Sequence, residues 1–336
     1  MLKKLLLIPT ALFVVFLACE VGIRLYGWAP LPPTYAGKSY SSLPNGRLEC
    51  MNPEVSRPYF SGAGNNNPGC VFYSINNLGF RNNYSIGPKT SDLKRIVVVG
   101  DSFTYGFGVL EEDTFESKLE EMWKLEGLKV EVINSAEPAA ALPEYRRILN
   151  EKVSGLSPDI LIVGINLNDI MTFNSSLIIE KISRNYDWKI RKVSKLVDFF
   201  CYTMERRESS EENIKTILNS LNPERLAAFE TFVKELKVFS AAQKSELFVI
   251  VHPIFFNLEN YNFTSVHEEV DSILRNEGVA FHDFLEDFKG KKSEDYWITL
   301  NDQHPNEKAH QVYFDFLFKE FGPKIRHPNT LPTEKP

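Results

Sequence analysis

The sequence predicts an α/β protein built on a doubly wound, mostly parallel sheet. Three observations carry this expectation. "RIVVVG" (95–100) and "PDILIVGIN" (158–166) are unbroken apolar runs of the kind buried on both faces of a parallel sheet. Amphipathic stretches alternate with such runs over short joints, in the order β-α-β-α-β. After a charged interlude the alternation resumes with "ELFVIVHPIFF" (246–256) and "VAFHDF" (279–284).

Taken in order, the chain opens with Lys3 and Lys4 and then an apolar stretch from Leu5 to Cys19, followed by Glu20 and Arg24. Leu5 to Ile23 spans roughly 28 Å as a helix, just enough to cross a bilayer. The lysines are expected to stay in the cytoplasm and send the rest of the chain outward. Residues 1–28 therefore read as a signal anchor or a signal peptide, and lipidation at Cys19 in "FLAC" is a third reading. The uncleaved anchor is preferred, because no small-x-small cleavage site stands out. The expected location is the inner (cytoplasmic) membrane, held by one N-terminal membrane helix, with the main domain periplasmic or extracellular.

Residues 29–90 read as an extracytoplasmic linker and irregular segment, rich in Pro, Gly, Ser and Asn up to residue 70. Within it, "VFYSINNLGFRNN" (71–83) predicts a short strand with Gly79 as its turn. The periodic domain covers 91–322. Its first helix is "TFESKLEEMWKLEG" (114–127), where Phe115, Leu119, Met122 and Trp123 share a face and Gly127 stops it. "KVEVIN" (129–134) is the second strand and "PEYRRILNEKVSG" (143–155) the next helix. A helical insertion follows the third strand over 171–222, partly anchored by Trp188, Val193, Val197 and Phe200. A strong helix over 223–243 places Leu226, Phe229, Val233 and Leu236 on one stripe, with Pro223 in its first turn. A helix at 267–278 and a terminal helix at 306–321 bracket the fifth strand, and the proline-rich 323–336 reads as a disordered tail.

A net charge of −6 leaves no basic footprint, so nucleic acid is not an expected partner. Cys50 and Cys70 flank a Pro/Gly/Asn-rich loop, and either a disulfide or two unrelated thiols fits them. There is no C-x-x-C and no Cys/His cluster at metal spacing, so no metal and no cofactor is expected.

Loops at the carboxyl ends of parallel strands line binding sites, so the residues there are the candidates for chemistry. They are Gly100, Asp101 and Ser102; Asn134 and "SAEPAAA"; Gly164, Asn166, Asn168 and Asp169; His252; Asp283; and "NDQHPN" (301–306) ahead of the last helix. A hydroxyl, a histidine beside an acid, and an asparagine amide suit acyl transfer. A serine needs a base to take its proton, the imidazolium needs an acid, and the oxyanion needs fixed donors. Gly100 is expected to let the chain turn sharply and present Ser102 at a helix start, where the bland role of a serine is an N-cap. Asp101 is expected to fix the turn. Asp169, His252, His282 and His310 read as structural.

The ordered blocks "VVVGDSFTYGFGV" (97–109), "VINSAEPAAA" (132–141), "IVGINLND" (162–169) and "NDQHPNEKAH" (301–310) resemble the SGNH, or GDSL-like, serine hydrolase family, in its membrane-anchored bacterial branch. The resemblance runs from about 95 to about 320. It implies a flavodoxin-like three-layer α/β/α fold with a five-stranded sheet. Ser102 would be the nucleophile and His304 the base. The oxyanion hole would comprise the Ser102 N–H, the Ala139 N–H and the Asn168 side chain. The family usually has glycine where Ala139 stands. Its acid usually lies three residues before the histidine, where this chain has Asn301, so Asp302, two before, is the acid assigned.

The expected function is an extracytoplasmic esterase cleaving an acyl ester, an O-acetyl group included, through an acyl-serine intermediate. The alternative with the same covalent step is an O-acyltransferase moving an acetyl group to or from a cell-envelope carbohydrate. A non-catalytic envelope binding protein on a hydrolase scaffold is the alternative of another class. The expected partners are an ester substrate, such as an acylated carbohydrate or lipid, and the membrane. A two-metal phosphoesterase is set aside, because no D-x-H lies near the first strand.

Overall fold

The computed structural model describes residues 2–25, 38–43, 46–51, 70–171, 193–299 and 302–326. In chain order the strands are β1 (Lys38–Leu43), β2 (Gly46–Met51), β3 (Cys70–Ser74), β4 (Lys94–Val99), β5 (Val130–Asn134), β6 (Ile160–Asn166), β7 (Glu246–His252), β8 (Ala280–Asp283), β9 (Trp297–Thr299) and β10 (Asp302–Pro305). The helices are α1 (Leu2–Leu25), α2 (Ser102–Tyr105), α3 (Phe115–Leu125), α4 (Leu142–Ile148), α5 (Lys195–Ser220), α6 (Pro223–Gln243), α7 (Thr264–Asn276), α8 (Leu285–Phe288) and α9 (Glu307–Arg326). Two units result, one of residues 1–38 with 173–219, the other of residues 39–172 with 220–336.

In the larger unit the apolar runs become one parallel sheet of order β5-β4-β6-β7-β8. β6 is buried along its whole length and β4 from Arg95 onward, as strands covered on both faces must be. The strand period of two divides the core. Ile96 and Val98 join a cluster with α3 and α9, so Val97 and Val99, equally buried, face the other layer. On the first face Trp123 stacks on Phe318 at 5.9 Å. On the second, Tyr145 of α4 meets Phe232 of α6 at 6.0 Å. This is the expected three-layer α/β/α arrangement with a flavodoxin-like strand order. Because β5 and β6 lie on opposite sides of β4, the strand order reverses there, the place where such sheets bind ligands at the carboxyl ends of their strands.

Several local expectations need correction. The stretch read as irregular carries an antiparallel sheet of order β1-β2-β3, with Cys50 and Cys70 opposite each other in its backbone register. Two of its strands, β1 and β2, are short and mostly polar, so the Pro, Gly and Asn clusters around them mask their period. Met122 is 39 % exposed while Phe115, Leu119 and Trp123 are fully buried, so it marks the edge of the stripe rather than its centre. α9 continues through Pro323 to Arg326, past the expected end at 322. Ile325 is buried there, and Arg326 grips Glu126 at 2.6 and 2.7 Å. Residues 327–336 lie outside the described residues.

In the smaller unit, α1 confirms a helix where the apolar stretch was read. Among the described residues no helix is long and apolar enough to cross a membrane, so the expected N-terminal membrane helix stands here as a helix only. Its Glu20 accepts from the Ser194 hydroxyl and the Lys195 and Leu196 N–H groups at 2.8, 2.9 and 2.8 Å, capping α5. Arg24 pairs with Glu20 at 2.7 Å. Of the expected anchors of the insertion, Val193 and Phe200 are exposed, Val197 is half-buried, and Trp188 lies outside the described residues.

Candidate active site

β4 ends at Val99, and α2 begins three residues later with Ser102. The N-cap is Asp101, whose Oδ1 accepts the Phe103 N–H at 2.9 Å. Capping therefore falls to the aspartate, and the Ser102 hydroxyl turns to His304, with Oγ 2.9 Å from Nε2. Gly100 is required for space rather than for conformation. A Cβ there would lie 2.1 Å from Thr104 Oγ1, and so would one on Gly164. The two glycines make room for Thr104 beneath the turn, where its hydroxyl meets His252 Nε2 at 3.2 Å.

His304 lies on β10, and in a strand residues i and i+2 share a face. That geometry explains why an aspartate only two positions earlier serves: Asp302 Oδ1 is hydrogen-bonded to His304 Nδ1 and also accepts the His304 N–H at 3.2 Å. Asn301 lies outside the described residues. Asn306 locks the strand in place. Its Oδ1 accepts from Lys308 and Ala309 at the start of α9, and its Nδ2 donates to the carbonyls of Asp295 and Trp297.

Ala139 adopts φ +64°, the left-handed conformation that glycine enters freely. Ala140 N–H closes on the Glu137 carbonyl at 3.1 Å with Pro138 between, the pattern of a type II turn, which needs a positive φ at its third residue. The Glu137 N–H donates to the Gly100 carbonyl at 3.0 Å and ties this turn to the serine loop. The alanine thus keeps the glycine backbone at a cost of about 1 kcal/mol. Asn168 stands exposed beyond β6, its N–H bonded to Asn166 Oδ1 at 3.2 Å. Asp169 accepts from the Asn166 N–H and the Tyr145 hydroxyl at 2.9 and 2.8 Å, so its part is structural.

Burial pushes the Asp101 carboxyl up to about 6, against the pull of the Phe103 N–H, the nearby His304 and the Asn168 amide. Burial, with the Asp101 charge beside it, raises Asp169 well above the carboxylate range. His252 is driven down to about 3 by burial and is neutral at physiological pH. His310 accepts the Phe115 N–H at 3.2 Å and His282 pairs with Asp287 at 2.7 Å, both structural tasks. Among the described residues no group of three or more His, Cys, Asp or Glu side chains is placed to hold a metal.

Several supporting residues escaped sequence reasoning. Thr104 and His252 form one pair. Phe103 and Phe107, whose rings lie 5.5 and 4.9 Å from the His304 imidazole, form another. Tyr73 and Arg81 reach the same loop from upstream. The run "SFTYGFG" (102–108) was the visible signal, but nothing in it named a partner.

A serine, a histidine and an aspartate hydrogen-bonded in series at the switch point of a doubly wound sheet define a serine hydrolase. The sequence matches the GDSL-like Lipase/Acylhydrolase family over residues 96–317, and the chain belongs to that family, whose members act on ester bonds. Among solved structures it is similar to TesA (12 % identity, 68 % of this chain and 99 % of that one, TM-score 0.45). It is also similar to the psychrotrophic esterase EstA from Pseudoalteromonas sp. (14 %, 69 % and 99 %, 0.43). A third likeness is to an acetylxylan esterase from Geobacillus stearothermophilus (14 %, 69 % and 97 %, 0.44). No curated protein sequence matches the chain significantly.

Proposed function

We propose that this chain is an extracytoplasmic serine esterase working through a covalent acyl-serine intermediate. Ser102 Oγ attacks the ester carbonyl while His304 Nε2 takes its proton, and Asp302 orients the ring and stabilises the imidazolium. The oxyanion is received by the Ser102 N–H, the Ala139 N–H and the Asn168 amide. Collapse breaks the ester C–O bond, and His304 returns its proton to the departing alcohol. Water then attacks the acyl-serine with His304 again as base, releasing the acid and restoring Ser102. The observation that carries this reading is the hydrogen-bonded series Ser102–His304–Asp302 at the carboxyl end of β4.

Support for membrane anchoring comes from Lys3 and Lys4 ahead of the apolar stretch, and from the exposure of Leu12, Phe13, Val14, Val15 and Val21 along α1. A catalytic domain held at the outer face of the inner membrane meets acylated carbohydrates or lipids of the cell envelope, which we take as the substrate class. The test is a panel of acetyl, butyryl and longer p-nitrophenyl esters, run on the full-length protein with and without an oligosaccharide acceptor. Hydrolysis indifferent to the acceptor supports the esterase. Acceptor-stimulated turnover with an acylated sugar as product replaces it with the acyltransferase.

A further inference from the structure

Two buried residues upstream of the matched family segment converge on the loop that leaves the serine helix. The guanidinium of Arg81 donates to the carbonyls of Tyr105 and Gly106 at 2.5 Å each and to that of Val109 at 2.6 Å. The hydroxyl of Tyr73, on β3, accepts the Gly108 N–H at 2.9 Å. Arg81 also lies over the rings of Tyr73 and Tyr105, at 4.8 and 5.1 Å. Gly106 and Gly108 have φ of +74° and +81°, so the loop makes two left-handed turns within three residues. The residue between them is Phe107. Its ring stacks on Tyr73 at 6.3 Å and meets the His304 imidazole at 4.9 Å with a 46° tilt. Phe103 closes on the same imidazole, more nearly edge-on, at 5.5 Å.

We propose that Phe107 is a positioning residue for His304, stabilising its imidazolium form through the aromatic ring, and that Tyr73 and Arg81 hold Phe107 in that place. The inference rests on His304 being the base of the proposed reaction. The physical reason is a conflict at that ring. An apolar cover keeps water from the Ser102–His304 hydrogen bond, but it also disfavours the positive charge that His304 must carry after taking the proton. An aromatic cover excludes the water and gives back part of the lost stabilisation, because the ring quadrupole attracts a neighbouring cation. Among the described residues, the other groups facing the imidazole include Asp302 on its own strand, and Ser102 and the buried Asp101 on the serine turn. Both carboxylates favour the cation, so the aromatic contribution adds to theirs.

The experiment compares Phe107→Leu, which keeps an apolar cover, with Phe107→Tyr, which keeps the ring. In full-length protein carrying Ser102→Ala, NMR titration of His304 reads its protonation without any need for turnover. In the series with Ser102 intact, kcat and KM are measured on p-nitrophenyl acetate. Phe107→Leu is expected to move the His304 midpoint to lower pH and to lower kcat about three- to tenfold, with KM nearly unchanged. Phe107→Tyr is expected to restore both. Tyr73→Phe, which removes the acceptor of the Gly108 N–H, is expected to move both in the same direction by less. A His304 midpoint unmoved by Phe107→Leu, or an equal loss in the Leu and Tyr variants confined to KM, overturns the proposal and leaves Phe107 a wall of the acyl pocket. Absence of esterase activity in the unmutated protein would count against the reaction itself while leaving the titration readable.

Discussion

Asp302, His304 and Ser102 stand in series at one place on the sheet edge, and Asp283, His267 and Tyr261 stand in series at another. In the second series His267 Nδ1 is 2.7 Å from Asp283 Oδ2 and Nε2 is 3.0 Å from the Tyr261 hydroxyl. The bonding resembles that of the first, yet the surroundings differ. The Tyr261 hydroxyl also accepts the Ile254 N–H at 3.0 Å, and burial raises its pKa, so it keeps its proton. The His267 side chain is 2 % exposed against 26 % for His304. One series braces the loop after β7. The other ends on the half-buried Ser102 hydroxyl, at the carboxyl end of β4. An Asp–His–hydroxyl chain alone therefore does not mark a catalytic site; its burial and its place on the sheet tell the two series apart.

The largest expected contrast is in rate. Asp302→Asn should lower kcat/KM by about a hundred- to ten-thousandfold, because the imidazole loses the acid that orients it. Asp283→Asn should leave kcat/KM within a few-fold and act on stability instead. Steady-state kinetics beside thermal melts separate the two, and a comparable loss of rate in both would end the distinction.

Buried charge supplies the next contrast, since Glu116 is buried within electrostatic reach of Arg81, which holds the loop after the serine helix. Burial raises the Glu116 carboxyl to about 8, and neither of its oxygens has a hydrogen-bond partner among the described residues. A folded-state pKa above the unfolded one stabilises fully below the unfolded value of 4.5, and that contribution is lost as pH rises through about 8. Glu116→Gln should therefore gain stability over the unmutated protein between pH 5 and pH 8, on the order of a few kcal/mol. Denaturant unfolding at the two pH values reads the gain.

A smaller effect is expected at the brace. Tyr261→Phe leaves the Ile254 N–H and His267 Nε2 without their shared hydroxyl and should cost about 1–3 kcal/mol, with kcat within about twofold. A collapse of kcat in a folded Tyr261→Phe protein would make the brace part of the active site. Smallest is Ala139→Gly. Relief of the left-handed strain is offset by the greater freedom of glycine in the unfolded chain, so stability should shift by less than about 1 kcal/mol with activity retained. A large loss of activity would mean that the Ala139 methyl itself has a role.

The sequence made the five sheet strands legible because their apolar runs are long and end on chemistry. Ser102, Asn168 and His304 could be picked out for the same reason, each standing just past an apolar run or ahead of a helix. Asp302 looks displaced by spacing along the chain, whereas a strand puts every second residue on one face. Gly100 looked like a conformational device, and only the position of Thr104 reveals that it yields space. The task of Glu20, at the end of the apolar stretch, shows only where the N-terminus of α5 lies beside it. Tyr73 and Arg81 had no local signature, since their partners lie some 25 to 35 residues downstream and are mostly backbone carbonyls. Long-range contacts to backbone leave no pattern in side-chain types.

The most direct test is covalent labelling of the folded protein with a fluorophosphonate, read by peptide mass mapping. One adduct is expected, on Ser102, absent from Ser102→Ala and retained in Tyr261→Phe. No adduct on Ser102 in protein shown to be folded, or ester hydrolysis that survives Ser102→Ala, would contradict it.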